Sequence, residues 1–389
     1  MRERVLILAT LAVALATTMA CMTAVYEPGP PPPAAAVEPS PEPAVTGEVS
    51  FFFDSLAPFG SWLTVAGYGR VWVPRVSAWW RPYTEGRWVY TDDGWTWAAT
   101  EPWGWAAYHY GRWYWDTEYG WAWVPGSVWA PAWVAWRAGG GHIGWAPLPP
   151  SVRWEPGIGF PAGGVDFEAV IAPQHWCFVE ERDITASVIR DHVVPPARNA
   201  TFVRVTNNVT EYAVFDNRVV NHSVDVTHVE RVTGQSVPRY HIADRESPAA
   251  LHSQSLRTNE IPMVRRVVPV RAVGSAAATK VETVEDLHRR HELEVQELKT
   301  HHESERVRLQ EIHRTEASQT PANLTADQIK ARNLAEQHAL DLQHQNEVQI
   351  LAKRHLREIE TVKGQGTVQS VHTPTPKPKR HKDSERSQR

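Results

Sequence analysis

The sequence predicts a multi-part α+β chain that is mainly β in its N-terminal half and ends in a long α-helical hairpin or coiled coil. A Trp-rich motif recurs three times in the first half, because Trp62, Trp88 and Trp113 stand 26 and 25 residues apart. A second pattern, L-x3-H-x2-E, recurs every eleven residues near the end of the chain. Repeats of such lengths mark repeated structural units. The formal net charge of -4 gives no electrostatic reason to expect nucleic acid binding.

Residues 1–21 have the composition of a signal peptide. Two arginines precede an almost wholly apolar run over residues 5–16, which is too short to span a membrane. The run ends in a segment that resembles a bacterial lipobox, in which the thiol of Cys21 would carry a lipid. Thr18 departs from the usual leucine, so cleavage and release is the alternative. We expect an exported membrane lipoprotein that faces the periplasm, or else a secreted or periplasmic protein.

The next segment, residues 22–50, is rich in proline and acidic residues and lacks apolar periodicity. Such a composition is typical of a semi-extended linker between an anchor and a folded unit. Only one cysteine follows Cys21, and this single thiol, Cys177, cannot close a disulfide within the chain. We expect it to pack as a small buried side chain.

Residues 51–163 are predicted to form a domain of Trp-rich antiparallel β-hairpins. Side chains alternate along a strand, so W-x-W places both rings on one face. A loop at residues 91–94 predicts two cross-strand pairs, and the other two units follow the same rule. The predicted pairs are Trp88 with Trp97, Tyr90 with Trp95, Trp62 with Trp72, Thr64 with Arg70, Trp113 with Trp123, and Trp115 with Trp121. Residues 139–144, GGGHIG, are interpreted as a hairpin turn, since no lysine follows as in a phosphate-binding loop.

The Trp-rich motifs also carry a family resemblance. The segments FFFDSLAPFGSW, WWRPYTEGRWVYTDDGWTW, EPWGWAAYHYGRW and YGWAWVPGSVWAPAWVAWR are similar to the Trp-rich bacterial domain of unknown function 6600, over about residues 51–150. The resemblance implies an exported envelope protein, often a lipoprotein. It brings no established activity and no catalytic residues.

Residues 164–275 are predicted to be a second β region that packs as a small sheet. The residue pairs 207–208 and 216–217 are candidate two-residue turns, which leaves strands near residues 201–206, 209–215 and 218–222. A short helix is predicted over residues 226–233, with Gly234 as its stop.

Residues 280–363 carry the eleven-residue repeat and are predicted to be helical. An eleven-residue period keeps one narrow stripe along the helix, with leucines and histidines on it. A stripe so narrow needs a partner, which could be the other half folded back at Pro321, a second subunit, or another protein. The His and Glu of each repeat are interpreted as ordinary helix neighbours. Residues 364–389 are expected to be a disordered basic tail, for which anionic lipid headgroups or lipopolysaccharide phosphates are a candidate partner.

No catalytic set, metal site or cofactor site stands out in the sequence, so we expect a protein that is not an enzyme and has no cofactor. Many aromatic rings lie outside the predicted hairpin stripes, and exposed aromatic patches usually mark binding surfaces. Nine of these rings are the candidate ligand or partner surface: Trp79, Trp80, Tyr83, Trp103, Trp105, Tyr108, Tyr110, Trp133 and Trp136.

These features favour a non-enzymatic structural or interaction protein of the cell envelope. In this hypothesis the β domain docks on a surface, the lipid on Cys21 holds the protein at the membrane, and residues 280–363 self-associate or bind a partner helix. The alternative is a protein that binds glycan or peptidoglycan through exposed Trp and Tyr rings. A hydrolase with an unrecognised site ranks below both.

Overall fold

The computed structural model describes residues 50–161, 163–251, 259–265, 284–318 and 325–369. The predicted signal peptide, its Cys21 and most of the predicted linker lie outside the described residues, as does the predicted tail from residue 370. We call the described part of residues 50–265 the β body.

The β body is built mainly from fourteen short strands in its described residues. They are β1 (Gly60–Val65), β2 (Gly69–Pro74), β3 (Gly86–Thr91), β4 (Gly94–Ala99), β5 (Arg112–Asp116), β6 (Gly120–Val124), β7 (Val134–Gly139), β8 (His142–Pro147), β9 (Cys177–Glu180), β10 (Asn207–Asn208), β11 (Tyr212–Phe215), β12 (Arg218–Asn221), β13 (Arg239–Asp244) and β14 (Glu260–Met263). They form three sheets, with the orders β1-β2-β6-β5, β10-β7-β8-β9 and β11-β12-β4-β3-β13-β14.

The helices fall into two groups. Five short ones belong to the β body: α1 (Ser50–Leu56), α2 (Gly104–Ala107), α3 (Phe167–Val170), α4 (Asn199–Val205) and α5 (Val226–Thr233). Two long ones follow, α6 (Val284–Ser318) and α7 (Ala326–Gln369), and α7 runs six residues into the segment predicted as tail. The predicted α+β class, β-rich first and helical last, is confirmed. No helix among the described residues is both long and apolar enough to cross a membrane.

The predicted hairpin register is confirmed in all three repeats. Each aromatic pair faces across its hairpin as the alternation rule requires, and Thr64 faces Arg70. A fourth hairpin, β7 with β8, pairs Trp136 with Trp145 and turns at the predicted glycine segment. Its different spacing hid it from the repeat pattern. The indole N–H groups tie hairpins to connecting segments: Trp72 Nε1 donates to the Leu56 carbonyl at 3.1 Å, and Trp123 Nε1 to the Tyr110 carbonyl at 2.6 Å.

The second β region does not form a sheet of its own, contrary to the prediction. Its strands extend the sheets of the Trp-rich hairpins: β9 and β10 flank β8 and β7, and β12 and β13 pair with β4 and β3. Gly94 makes one such junction possible, because a Cβ at this position would lie 2.0 Å from the Asn221 carbonyl oxygen. Residues 164–265 therefore complete the core of the Trp-rich part.

Two local predictions in this region are wrong. Residues 201–206, expected as a strand, lie mostly in α4, whose buried Asn199 and Phe202 are three residues apart and share a helical face. The expected turn at Asn207 and Asn208 is instead β10, paired with β7. The β-branched composition suited a strand, but packing decided the local structure.

Other local predictions are confirmed. Asp216 and Asn217, with φ of 50° and 57°, turn the hairpin of β11 and β12. Helix α5 has the predicted bounds, Val226–Thr233. It begins after Asp225, whose carboxylate accepts from the Thr227 amide, and ends at Gly234 in the left-handed conformation.

Helices α6 and α7 fold back on each other as an antiparallel pair, which we call the helical hairpin. Each repeat of one helix meets a repeat of the other, and histidine Nε2 bonds glutamate Oε2 across the pair. These bonds are His291 to Glu358 at 2.8 Å, His355 to Glu294 at 2.7 Å, His302 to Glu347 at 2.8 Å, His344 to Glu305 at 2.8 Å and His313 to Glu336 at 2.8 Å. Imidazole rings stack at two crossings, with centroids 3.7 Å apart. The His and Glu of the repeat therefore pair between helices, whereas the sequence suggested neighbours within one.

Candidate functional site

The candidate aromatic surface is not a surface. Eight of its nine rings are at most 7 % exposed: Trp80, Tyr83, Trp103, Trp105, Tyr108, Tyr110, Trp133 and Trp136. The connecting segments that carry these rings pack against the aromatic side chains of the hairpins. For example, the Tyr83 ring centroid lies 6.1 Å from that of Trp88 and 5.8 Å from that of Trp97. The expectation of exposed rings was wrong because residues 164–265 supply more interior than the Trp-rich segment has alone.

Trp79, the ninth ring, is partly exposed and contacts the helical hairpin. Its indole stacks on the imidazole of His301 with centroids 4.6 Å apart and planes 14° apart. Ala78, Leu298 and Leu351 form a small buried cluster with it. This ring therefore attaches the helices to the β body.

Two further contact sets dock the helical hairpin. Near the C-terminal part of α7, Lys353 Nζ donates to the Thr117 carbonyl at 3.0 Å, and Arg357 lies 4.6 Å from the Tyr119 ring centroid. Towards the opposite end, buried Glu336 accepts from Thr201 Oγ1 at 2.9 Å and pairs with Arg198 at 3.3 Å. The helices are thus held along their length.

A cleft of about 1050 Å³ remains between the β body and the open end of the helical hairpin. Trp80, Trp115, Tyr119 and Trp121 line it from the β body together with residues 73–78. The N-terminal part of α6 and the C-terminal part of α7 line the other side. The lining carries four arginines and two carboxylates: Arg75, Arg290, Arg354, Arg357, Asp286 and Glu358.

The four arginines differ in how far they are committed to protein partners. Arg290 donates to Glu294 and Glu358, at 3.1 and 2.9 Å. Arg354 donates to Glu294 at 2.9 Å and also to the Val76 carbonyl. Arg357 donates to the Glu118 carbonyl at 3.3 Å and packs on the Tyr119 ring, and its approach to the Glu118 carboxylate is long, at 3.6 Å. The exposed Arg75 side chain has no hydrogen bond or ion pair within the described part of the chain.

Glu294 lies beside Arg354 and the stacked rings of His291 and His355, and these neighbours hold it in its charged form. Burial alone would raise the pKa of Glu294, but hydrogen bonds from His355 and Arg354 outweigh it and lower this pKa to about 2. Glu294 therefore stays charged at neutral pH and keeps Arg354 engaged. The cleft consequently offers Arg75 and Arg357 to a ligand more readily than Arg290 and Arg354.

A buried carboxyl group lies behind the cleft. Trp80 Nε1 donates to Oε1 of Glu101 at 3.2 Å, and the Tyr108 hydroxyl donates to the same oxygen at 2.7 Å. Burial raises the pKa of Glu101 to about 7, against the effect of these hydrogen bonds. The group fixes the indole of Trp80 at the floor of the cleft. The sequence around Glu101 carries no signal that this carboxyl group is buried.

The other carboxylates and histidines of the described residues do not assemble a metal site, since no group of three such side chains has suitable geometry.

Comparison with known proteins finds a match to a family model. No curated protein matches the chain, and neither does a solved structure. Residues 53–152 match the model of the family of unknown function DUF6600, which is the family that the Trp-rich motifs indicated.

Proposed function

We propose that the protein is a non-enzymatic structural or interaction protein of the cell envelope, anchored by a lipid on Cys21. The observation that carries this proposal is the docking of the helical hairpin, which three contact sets hold along the β body. The β body buries eight of its nine candidate rings in its own core, so the helices supply the long free surface. Their outer faces carry four leucines that are at least 47 % exposed: Leu293, Leu334, Leu342 and Leu356.

The anchor is tested by changing Cys21 to Ser. We expect the wild-type protein to sediment with membranes and the variant to be released into the soluble exported fraction, because a serine cannot take the thioether-linked lipid. Cys177→Ala is the matched control, since it removes the buried cysteine and leaves the lipidation site. Unchanged sedimentation of Cys21→Ser would reject the anchor.

The interaction surface is tested by sedimentation velocity on the full chain. We expect the wild-type protein to self-associate with rising concentration, and Leu342→Glu with Leu356→Glu to weaken this association, because exposed leucines gain from burial and glutamates lose. Gln337→Glu, on an exposed position of the same helix, adds a charge and serves as the control. A strictly monomeric wild-type protein would leave only a partner helix as the occupant.

A second candidate function is glycan binding, and one observation favours it. The cleft combines aromatic side chains with charged groups, which is the lining expected of a site that holds sugar rings. This candidate does not require the nine rings of the sequence hypothesis, of which only Trp80 lines the cleft.

A further inference from the structure

We propose that the cleft between the β body and the helical hairpin binds a short acidic saccharide, whose carboxylate pairs with Arg75 or Arg357 and whose ring packs on the aromatic floor. The inference rests on the second proposed function, glycan binding, and names the ligand class. It does not depend on the lipid anchor.

The charge of the cleft favours an anion. Its lining has four arginines against two carboxylates, and two more carboxylates just outside the lining, Glu294 and Glu118, pair with Arg354 and Arg357. A cleft with charges of one sign in excess and walls of low polarity focuses the field on its ligand. Arg75 has no ion pair among the described residues, so its positive charge in the cleft is not neutralised by the chain.

The arginines without a short bond to a carboxylate lie on both sides of the cleft. Arg75 follows β2 in the β body and is exposed without a partner among the described residues, whereas Arg357 belongs to α7. Guanidinium groups bind carboxylates through two parallel hydrogen bonds, which a planar uronic acid carboxylate matches. Glu118, the acid near Arg357, is 55 % exposed and 3.6 Å away, so a ligand carboxylate can compete with it.

The aromatic floor favours a sugar over a simple anion. Trp115 and Tyr119 are partly exposed, while Trp80 and Trp121 are nearly buried, at 7 % exposure each. The C–H face of a pyranose ring is apolar and packs on such rings, while its hydroxyl groups find acceptors in Asp286 and Glu358. An inorganic anion would use the arginines alone, and a neutral sugar the rings alone. An acidic saccharide uses both.

The test is isothermal titration calorimetry of the full chain with trigalacturonic acid and with its trimethyl ester, which has the same rings without the charges. We expect the acid to bind at least about tenfold more tightly than the ester, and the difference to shrink as salt is added. Arg75→Gln and Arg357→Gln should each weaken binding of the acid about two- to fivefold. Trp115→Leu should weaken both ligands.

Arg306→Gln is the matched control, because Arg306 is a part-exposed arginine of α6 about 24 Å along the helix from Arg290. It should bind like the wild type, and thermal unfolding of each variant should confirm that it is folded. Equal affinity for acid and ester would overturn the inference and leave glycan binding standing. If neither the acid nor the ester binds, both the inference and the proposed glycan binding are wrong.

Two other outcomes also count against the inference. Wild-type affinity in both arginine variants would place the acidic ligand outside the cleft. Binding of phosphatidylglycerol vesicles that depends on Arg75 and Arg357, without binding of the oligosaccharide, would assign the cleft to a lipid phosphate.

Discussion

Replacing Asp93 with alanine is expected to lower the free energy of unfolding by about 2–4 kcal/mol. Asp93 has no exposed surface, and its carboxylate pairs with Arg218 at 2.6 Å and with Arg265 at 3.1 Å. Burial raises the pKa of Asp93 while the two arginines oppose that shift. Removing the carboxylate leaves two guanidinium groups facing each other. Both are partly exposed, so water offsets some of the loss, and the expected loss is about 1 kcal/mol below the usual range for broken buried pairs.

The neighbouring residue supplies a matched control for this prediction. Asp92 is adjacent in the same loop and is 52 % exposed, with His241 as its partner at 2.9 Å. Asp92→Ala should therefore cost less than about 1 kcal/mol. Urea unfolding followed by Trp fluorescence measures both variants. Equal losses for the two would show that the ion cluster adds nothing beyond the loop itself.

Asp93 also shows what the sequence could not reveal. An aspartate at this position is typical of a tight loop, so the local sequence gives no sign of an ion pair. Its two partners lie 125 and 172 residues further along the chain. The sequence places charged residues of both signs throughout this range. Only the pairing of β12 and β13 with the second hairpin brings these three together.

The features predicted well are those set by local geometry. Alternation fixed which ring faces which across Trp88 and Trp97, and the eleven-residue period located the helices. The partner of each helical stripe was left open, and the structure supplies it twice, once through the antiparallel helix and once through contacts such as Trp79 with His301. The spacing of residues along the sequence does not indicate which distant segment a helix contacts.

The prediction of an exposed aromatic surface was wrong for a related reason. Tyr110 was expected at a surface because it lies outside the predicted hairpin stripes, but its hydroxyl donates to the Val264 carbonyl at 3.1 Å. Likewise, Trp133 lies 6.1 Å from Tyr212, between ring centroids. Val264 and Tyr212 both belong to the region that was predicted to form a separate sheet, so the sequence offered no reason to place them beside these rings.

Glu101→Gln is expected to stabilise the protein at pH 8 by about 2–3 kcal/mol and to leave its stability nearly unchanged at pH 4.5. Burial raises the pKa of Glu101 from 4.5 to about 7, so the folded state holds this proton more tightly than the unfolded state does. The unfolded chain releases it first as pH rises. Stability is therefore lost between about pH 4.5 and 7, and the whole cost is present above pH 7. Glutamine resembles the protonated acid and still accepts the Tyr108 hydrogen bond.

Wild type and variant are compared by urea unfolding at each pH. The comparison is needed because other buried groups change the stability of both proteins with pH in the opposite direction. Burial lowers the pKa of His109 to about 4, so the folded protein loses stability as pH falls from about 6.5 to 4. That loss is common to both proteins and cancels in their difference. Glu155→Gln, at an exposed position, should follow the wild type throughout. A Glu101→Gln difference that does not change with pH would mean that the carboxyl group is solvated in the folded state, and that Trp80 is held at the cleft by packing alone.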